Sequence, residues 1–172
     1  MFGSGGGIIR KEIIMKNQIN IREAVERDVP AMVELWKELM DFHKERDQVF
    51  TRTATGYEGW IDFITGHISN ENSCVLAAEC DDQIVGHCLA FITENPPVIT
   101  TKCYGLFQEL AITANHRRCG AGEELVKEML KWFRDRDIER IEVKVSVHNE
   151  LSTAFWRKMG FSTYLETLCL EI

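Results

Sequence analysis

Hydrophobic positions recur along this chain with two periods, and the switches between them mark its elements. Ile19 to Ala24 alternates apolar and polar residues and predicts a first strand. Met32, Leu35, Trp36, Leu39, Met40 and His43 then repeat at helical spacing, a stripe that reads as core packing. Asp28 as N-cap and Pro30 in the first turn set that helix at residues 29–43. A polar, irregular stretch covers 44–55. Tyr57, Trp60, Ile61, Ile64 and Ile68 mark a second helix. Two apolar runs, Cys74–Glu79 and Ile84–Ile92, flank the turn Cys80-Asp81-Asp82-Gln83 and predict an antiparallel hairpin. Glu94–Thr101, with Pro96 and Pro97, is a loop. Tyr104–Ile112 predicts a central strand.

The period lengthens again at Leu125, Val126, Met129, Leu130 and Phe133, the buried face of a third helix. Ile141, Val143, Val145 and Val147 alternate with Glu142, Lys144 and Ser146 in a fifth strand. Leu151–Met159 is a fourth helix with Gly160 at its C-terminal cap. Tyr164–Glu171 is a last strand. Residues 8–14 carry no decisive pattern. The stretch MFGSGGG at 1–7 reads as a flexible leader or an expression remnant, with Met15 an alternative start. The division is therefore a leading segment, 1–18, and one domain, 19–172.

Composition narrows the class. A chain of 172 residues fits a single domain with a substantial core. Hydrophobic residues make up 45% and charged residues 27%, the balance of a globular protein. The net charge of -7 argues against a nucleic-acid backbone as partner. It mildly favours a cationic small molecule or peptide. The six cysteines (74, 80, 88, 103, 119, 169) lack metal-type pairing, and most sit in apolar runs as small hydrophobes. That usage predicts a reducing, cytoplasmic setting and no metal. No apolar run approaches a membrane span, and no signal-peptide pattern is visible.

The chemistry concentrates between Leu106 and Leu130. An apolar run ends at Ile112, and Arg117-Arg118-Cys119-Gly120-Ala121-Gly122 leads into the third helix. A strand, a Gly-containing turn and a helix N-terminus bring backbone N–H groups together at one point, an arrangement that binds phosphate. Two glycines let the backbone approach an anion closely. Arg117 and Arg118 add forked donors. A P-loop would need Lys and Ser or Thr next, but Glu123 and Glu124 follow. A dinucleotide fingerprint would need a third Gly where Leu125 stands.

The remaining pattern, Arg-x-x-Gly-x-Gly at Arg117, Gly120 and Gly122, resembles the acyl-CoA pyrophosphate loop of the GNAT superfamily of N-acetyltransferases. A second segment fits the same family: Asn149 opens a helix, Phe155-Trp156 lie within it, and Gly160-Phe161 close it. The resemblance covers residues 19 to 172 and is strongest over 104–161.

It implies an α/β (α+β) fold: a mixed, mostly antiparallel sheet of six to seven strands, flanked by about four helices and splayed between strands four and five. Acetyl-CoA, released as coenzyme A, would enter as co-substrate. Its pantetheine arm would pair with strand four at Leu110, Ala111 and Ile112, which needs free backbone groups at Leu110 and Ile112. Its pyrophosphate would meet the loop formed by Arg117, Arg118, Cys119, Gly120, Ala121, Gly122 and Glu123, strengthened by the helix dipole. Asn149 would either contact the cofactor arm or cap the fourth helix, and both roles are compatible. Trp156 completes the implied cofactor set. The first two helices and their loop would form the acceptor pocket near Glu45, Asp47 and Phe50. A homodimer is compatible with the resemblance, on no identified surface.

Acetyl transfer to an amine needs proximity, an N–H near Leu110 to polarise the thioester oxygen, and a base. Many members carry an acid on strand four at the position of Gln108, and Gln cannot be a base. Glu109 is the nearest carboxylate and the candidate catalytic residue, but an adjacent strand residue faces the other way unless a bulge intervenes. The family's usual Tyr acid is replaced by Trp156, which has no ionisable proton for the thiolate. Tyr104, Tyr164 and His148 are alternative acids, and a thiol with pKa near ~8.5 leaves without one. His116 borders the phosphate loop. The leading expectation is transfer of an acetyl group to a primary amine in a ternary complex. A non-catalytic acyl-CoA sensor is the main alternative. A general nucleotide-binding module is a third, and it leaves Asn149–Phe161 unexplained.

Overall fold

The computed structural model describes residues 18–170. The expectations for residues 1–17 and for Glu171 lie outside that range. The elements are β1 (Asn20–Glu23), α1 (Val29–Lys44), α2 (Gly56–Ile68), β2 (Ser73–Cys80), β3 (Gln83–Glu94), β4 (Cys103–Ile112), α3 (Ala121–Arg134), β5 (Ile141–Val143) and α4 (Glu150–Lys158). They form a mixed α/β architecture around one sheet of order β1-β2-β3-β4-β5. The first four strands pair antiparallel in sequence order, and β5 joins β4 in parallel. A parallel neighbour requires a crossover, and α3 supplies it.

Alternation along the strands divides the core into two layers. Met32, Val33 and Trp36 of α1 and Trp60 and Ile64 of α2 bury against Val75, Ala77 and Leu89. On the other face, Leu125, Val126, Met129 and Phe133 of α3 and Trp156 of α4 bury against Leu76, Cys88, Ala90 and Phe107. Gly105 is required here because a Cβ at that position would stand 2.4 Å from the Phe133 ring. Cys74, Cys80 and Cys88 are buried, and burial pushes the Cys74 thiol up to about 12 and that of Cys88 upward as well. Among the described residues, no helix is long and apolar enough to cross a membrane.

The fourth helix closes as its sequence predicts. Gly160 takes φ 94°, its N–H donates to the Arg157 carbonyl, and the Phe161 N–H donates to that of Trp156. These are the paired bonds of a Schellman cap, and Phe161 packs on Trp156 at 5.1 Å.

Three expectations are corrected. Asp28 makes no capping bond to α1; its carboxylate binds the Arg22 guanidinium at 2.7 and 2.9 Å and accepts the Val25 N–H. The sheet has five strands among the described residues, and β5 stops at Val143 although the alternation runs to Val147. Tyr164–Leu170 form no strand and are exposed, so alternation there meets no ladder partner.

Two irregularities in β4 open one edge of the sheet. Leu89 pairs with Glu109 while the next residue, Ala90, pairs with Phe107, so Gln108 is the extra residue of a β-bulge. The pairing with β5 ends at that point, at Phe107 opposite Val143. From Gln108 to Ile112, β4 has β3 on one side and no strand on the other. The sheet is splayed between its fourth and fifth strands, as the resemblance implies.

Candidate functional site

The open edge of β4 leads directly into a cluster of backbone donors. Arg118 (φ 63°) and Gly120 (φ 93°) both take the left-handed conformation and fold the loop back before α3. The backbone N–H groups of Arg118, Cys119, Gly120, Ala121, Gly122 and Glu123 have no hydrogen-bond partner among the described residues. Glu124 is the first to bond back, to the Gly120 carbonyl at 3.0 Å. Some of these donors are the orphans of any helix start, but six in succession around two left-handed residues form an anion-binding concavity. At Gly120 a Cβ would meet nothing within 4 Å, so space in front of the loop is open. The donor set and this space fit a diphosphate.

The side chains of the loop are arranged differently from the sequence expectation. Arg117 points back to α1: its Nε donates to the Ile112 carbonyl at 3.1 Å and its Nη2 to Glu38 at 3.1 Å. It also lies 5.0 Å from the centre of the Phe42 ring. The Ile112 carbonyl is therefore occupied, and Arg118 is the loop arginine without an ion-pair partner among the described residues. Cys119 is exposed, with its thiol directed at the Arg117 carbonyl. Glu123 is paired with Lys158 of α4 at 2.5 Å, and that bond holds its carboxyl below the ordinary range.

Asn149 is buried and caps α4, its Oδ1 accepting the Ser152 N–H at 3.0 Å. Trp156 is buried among Phe107, Phe155 and Phe161, a core position that explains why an indole can stand there. Tyr164 is exposed under Arg140, which lies 4.1 Å from its ring centre. His148 is exposed, and the Nδ1 of His116 is buried without a partner among the described residues.

Glu109 lies on the α1/α2 face, because the bulge at Gln108 reverses the alternation downstream. Phe107, Leu110 and Ile112 pack on the α3 layer, whereas Glu109 reaches residues of the other layer. One carboxylate oxygen accepts the Nε2–H of His87 on β3, and the other accepts the Trp60 Nε1–H of α2 at 3.2 Å. Two bonds leave lone pairs on both oxygens for a further donor. Trp60 stacks on Trp36 at 5.6 Å, and its ring lies 5.6 Å from that of His87. From α1, His43 comes close enough to feel the Glu109 charge. Burial, helped by Arg46, holds its imidazole below the ordinary 6.5 against the pull of Glu109. Phe50 packs on His43 at 5.0 Å, and Asp47 turns the intervening chain by accepting the Val49 N–H. Glu45 is exposed.

Sequence reasoning missed His87 and used Trp60 only as a marker of the second helix. The one signal in the chain was a single His within the otherwise apolar run Ile84–Ile92.

The sequence model of the Acetyltransferase (GNAT) family matches residues 31–161. The chain is 27% identical over 100 residues to N-acetyltransferase 8 of Homo sapiens, covering 58% of this chain and 43% of that protein. It thus spans under half the length of that relative. Its fold resembles the tetramutant of the BH1408 protein of Bacillus halodurans, with a TM-score of 0.80 and 18% identity, over 89% of this chain and 99% of that one. It also resembles a predicted acetyltransferase of Clostridium acetobutylicum, whose structure is with acetyl-CoA. That TM-score is 0.73 and the identity 19%, over 90% of this chain and 96% of the other. Both likenesses concern the fold. Together with the open β4 edge and the donor loop, the family match means that this chain belongs to the GNAT family of acetyltransferases.

Proposed function

We propose that this protein is an acetyl-CoA-dependent N-acetyltransferase that acetylates a primary amine by direct attack in a ternary complex. The observation that carries the reading is the unpaired edge of β4 running into six free N–H groups at the start of α3. The edge suits an extended amide-bearing arm, and the donors suit a diphosphate. The Clostridium acetobutylicum neighbour, with acetyl-CoA, supports the choice of cofactor.

When bound, acetyl-CoA supplies an acetyl group activated as a thioester. The residues of this chain do the rest. Arg118 to Glu123 hold the diphosphate through backbone N–H groups, reinforced by the α3 dipole. A backbone N–H near Leu110 would polarise the thioester oxygen. Glu109 takes a proton from the acceptor's ammonium, leaving a neutral nitrogen. In the net reaction an S–C bond is exchanged for an N–C bond, and the ammonium loses two protons: one passes through Glu109 to solvent and one is gained by the CoA thiol. Negative charge at Glu109 and the aromatic side chains Trp36, Trp60 and Phe50 favour a cationic acceptor, a small molecule or a peptide amine.

The test has two stages. Thermal unfolding with acetyl-CoA, CoA, ATP and NAD reports cofactor choice, with about 2.7 kcal/mol of added stability expected at ~100 times Kd. Release of free thiol from acetyl-CoA, with a panel of primary amines, then reports turnover. Stabilisation by acetyl-CoA and CoA alone, together with amine-dependent thiol release, is the expected result. Stabilisation with no turnover on any amine would favour a non-catalytic acyl-CoA sensor. Equal stabilisation by ATP would remove the cofactor assignment.

A further inference from the structure

We propose that His87 is the positioning residue for Glu109: its Nε2–H holds the carboxylate at the β4 bulge in the orientation that meets the acceptor. This rests on the reading of Glu109 as the base.

His87 is fully buried in the central strand β3. Its neighbours in register are Ala77 on β2 and Ala111 on β4, both small, and they leave the space that an imidazole fills. Glu109 is its diagonal neighbour, two residues before Ala111, on the same face of the sheet. A buried imidazole is costly unless hydrogen-bonded, and an aliphatic side chain would fill the space without that cost. The single hydrogen bond that the His87 side chain makes among the described residues goes to Glu109, and its Nδ1 has no partner there. The neutral Nε2–H tautomer satisfies this arrangement, donating one bond and leaving only a lone pair at Nδ1.

The geometry gives each support a distinct place. Trp60 comes from α2 and holds the second oxygen, and its ring packs on His87. The carboxylate is thus clamped between a strand and a helix, so its rotation is fixed before an acceptor arrives. His43 approaches from α1 without a hydrogen bond to Glu109, and Arg46, just beyond that helix, donates to the Phe42 carbonyl instead. Clamping matters because a reacting group misplaced by ~1 Å can lose ~100-fold in rate.

The experiment compares His87→Leu, His87→Gln and Glu109→Gln with the unaltered protein. Leu and Gln have similar bulk, and only Gln keeps an N–H donor. The assay follows thiol release from acetyl-CoA with the amine panel. The expected result is a fall in kcat of about tenfold or more for His87→Leu, with unchanged KM for acetyl-CoA and an intact melting transition. His87→Gln should recover most of that loss, and Glu109→Gln should lose about 100-fold or more. Equal kcat for the Leu and Gln variants would overturn the positioning role while leaving Glu109 as base. Full activity of Glu109→Gln would remove the base and His87's role together.

A second readout needs no acceptor. Long-range proton–nitrogen spectra of the free protein should show the Nε2–H tautomer at His87. They should also show a Trp60 indole N–H resonance that shifts in His87→Leu and is largely restored in His87→Gln. An indole resonance indifferent to both substitutions would sink the proposal.

Discussion

Glu38 on α1 holds two parts of the segment that joins β4 to α3. Its Oε1 accepts the Arg117 Nη2–H at 3.1 Å and the Ala114 backbone N–H at 2.7 Å. The helix bordering Glu109 is thereby tied to the loop whose N–H groups face the proposed diphosphate. Substituting Glu38→Gln removes the charge and weakens both bonds. The pair is more than a third exposed on the Arg117 side, so the stability change should be small, about 0–1 kcal/mol. Acetyl-CoA affinity, measured by calorimetry, should fall severalfold. Unchanged affinity would mean that the loop holds its shape without α1.

The two loop glycines make opposite predictions. Gly120 sits at φ 93°, where any L side chain is strained, so Gly120→Ala should destabilise the free protein by about 1–2 kcal/mol. Gly122 lies inside α3, and a Cβ there would touch the Phe155 ring at an ordinary 3.5 Å. Gly122→Ala should therefore stabilise the free protein by about 0.5–1 kcal/mol. It should also raise the Kd for acetyl-CoA by about tenfold, because the methyl group narrows the approach to the N–H cluster. Denaturant melts and cofactor titrations on the same samples separate the two effects.

Acid should weaken the fold in two stages. Burial holds the His43 and His67 imidazoles below their ordinary 6.5. The unfolded chain then takes up those protons first as pH falls. The stability linked to them is complete above 6.5 and is lost as pH drops through the lower folded values. Hydrogen bonds from Arg22 hold Asp28 below its ordinary 3.8, against the effect of burial. Its contribution is present above 3.8 and disappears as pH falls further. Asp28→Asn should cost about 1.5–3 kcal/mol at neutral pH and remove the Asp28 share of the second stage. Melting temperatures recorded across this range test the order.

Trp156→Tyr tests whether a hydroxyl at this position can act as the acid. The indole is packed against Phe107 at 5.0 Å and Phe161 at 5.1 Å. The expected outcome is a stability loss of about 1–2 kcal/mol and no gain in kcat. A rise in thiol release would show that a hydroxyl at this position can serve as the acid.

What the sequence disclosed followed the range of the forces involved. The α1 stripe and the buried face of α3 were legible because helical periodicity is local. Arg117, Gly120 and Gly122 marked the loop because left-handed turns and close approach demand glycine. The direction of Arg117 was hidden, since it depends on Glu38, far away in the chain. Asp28 suited an N-cap by type, yet Arg22 offered its carboxylate a stronger partner. Residues 164–170 alternate like a strand, but a strand needs a neighbour, and the sequence does not state where β5 ends. His87 resembled an ordinary core residue until β4 was placed beside it. The bulge could only be named as a condition on Glu109, since nothing in Gln108 itself announces an extra residue in the ladder.

That extra residue also decides which partners Glu109 can reach. At Gln108 the parallel ladder with β5 stops and the facing of every later residue in β4 is exchanged. With regular pairing of the same residues, residue 109 would lie within the opposite layer. Glu109 therefore meets His87 and Trp60 only while Gln108 is extruded from the ladder, and regular pairing of the same residues would turn the carboxylate away from both.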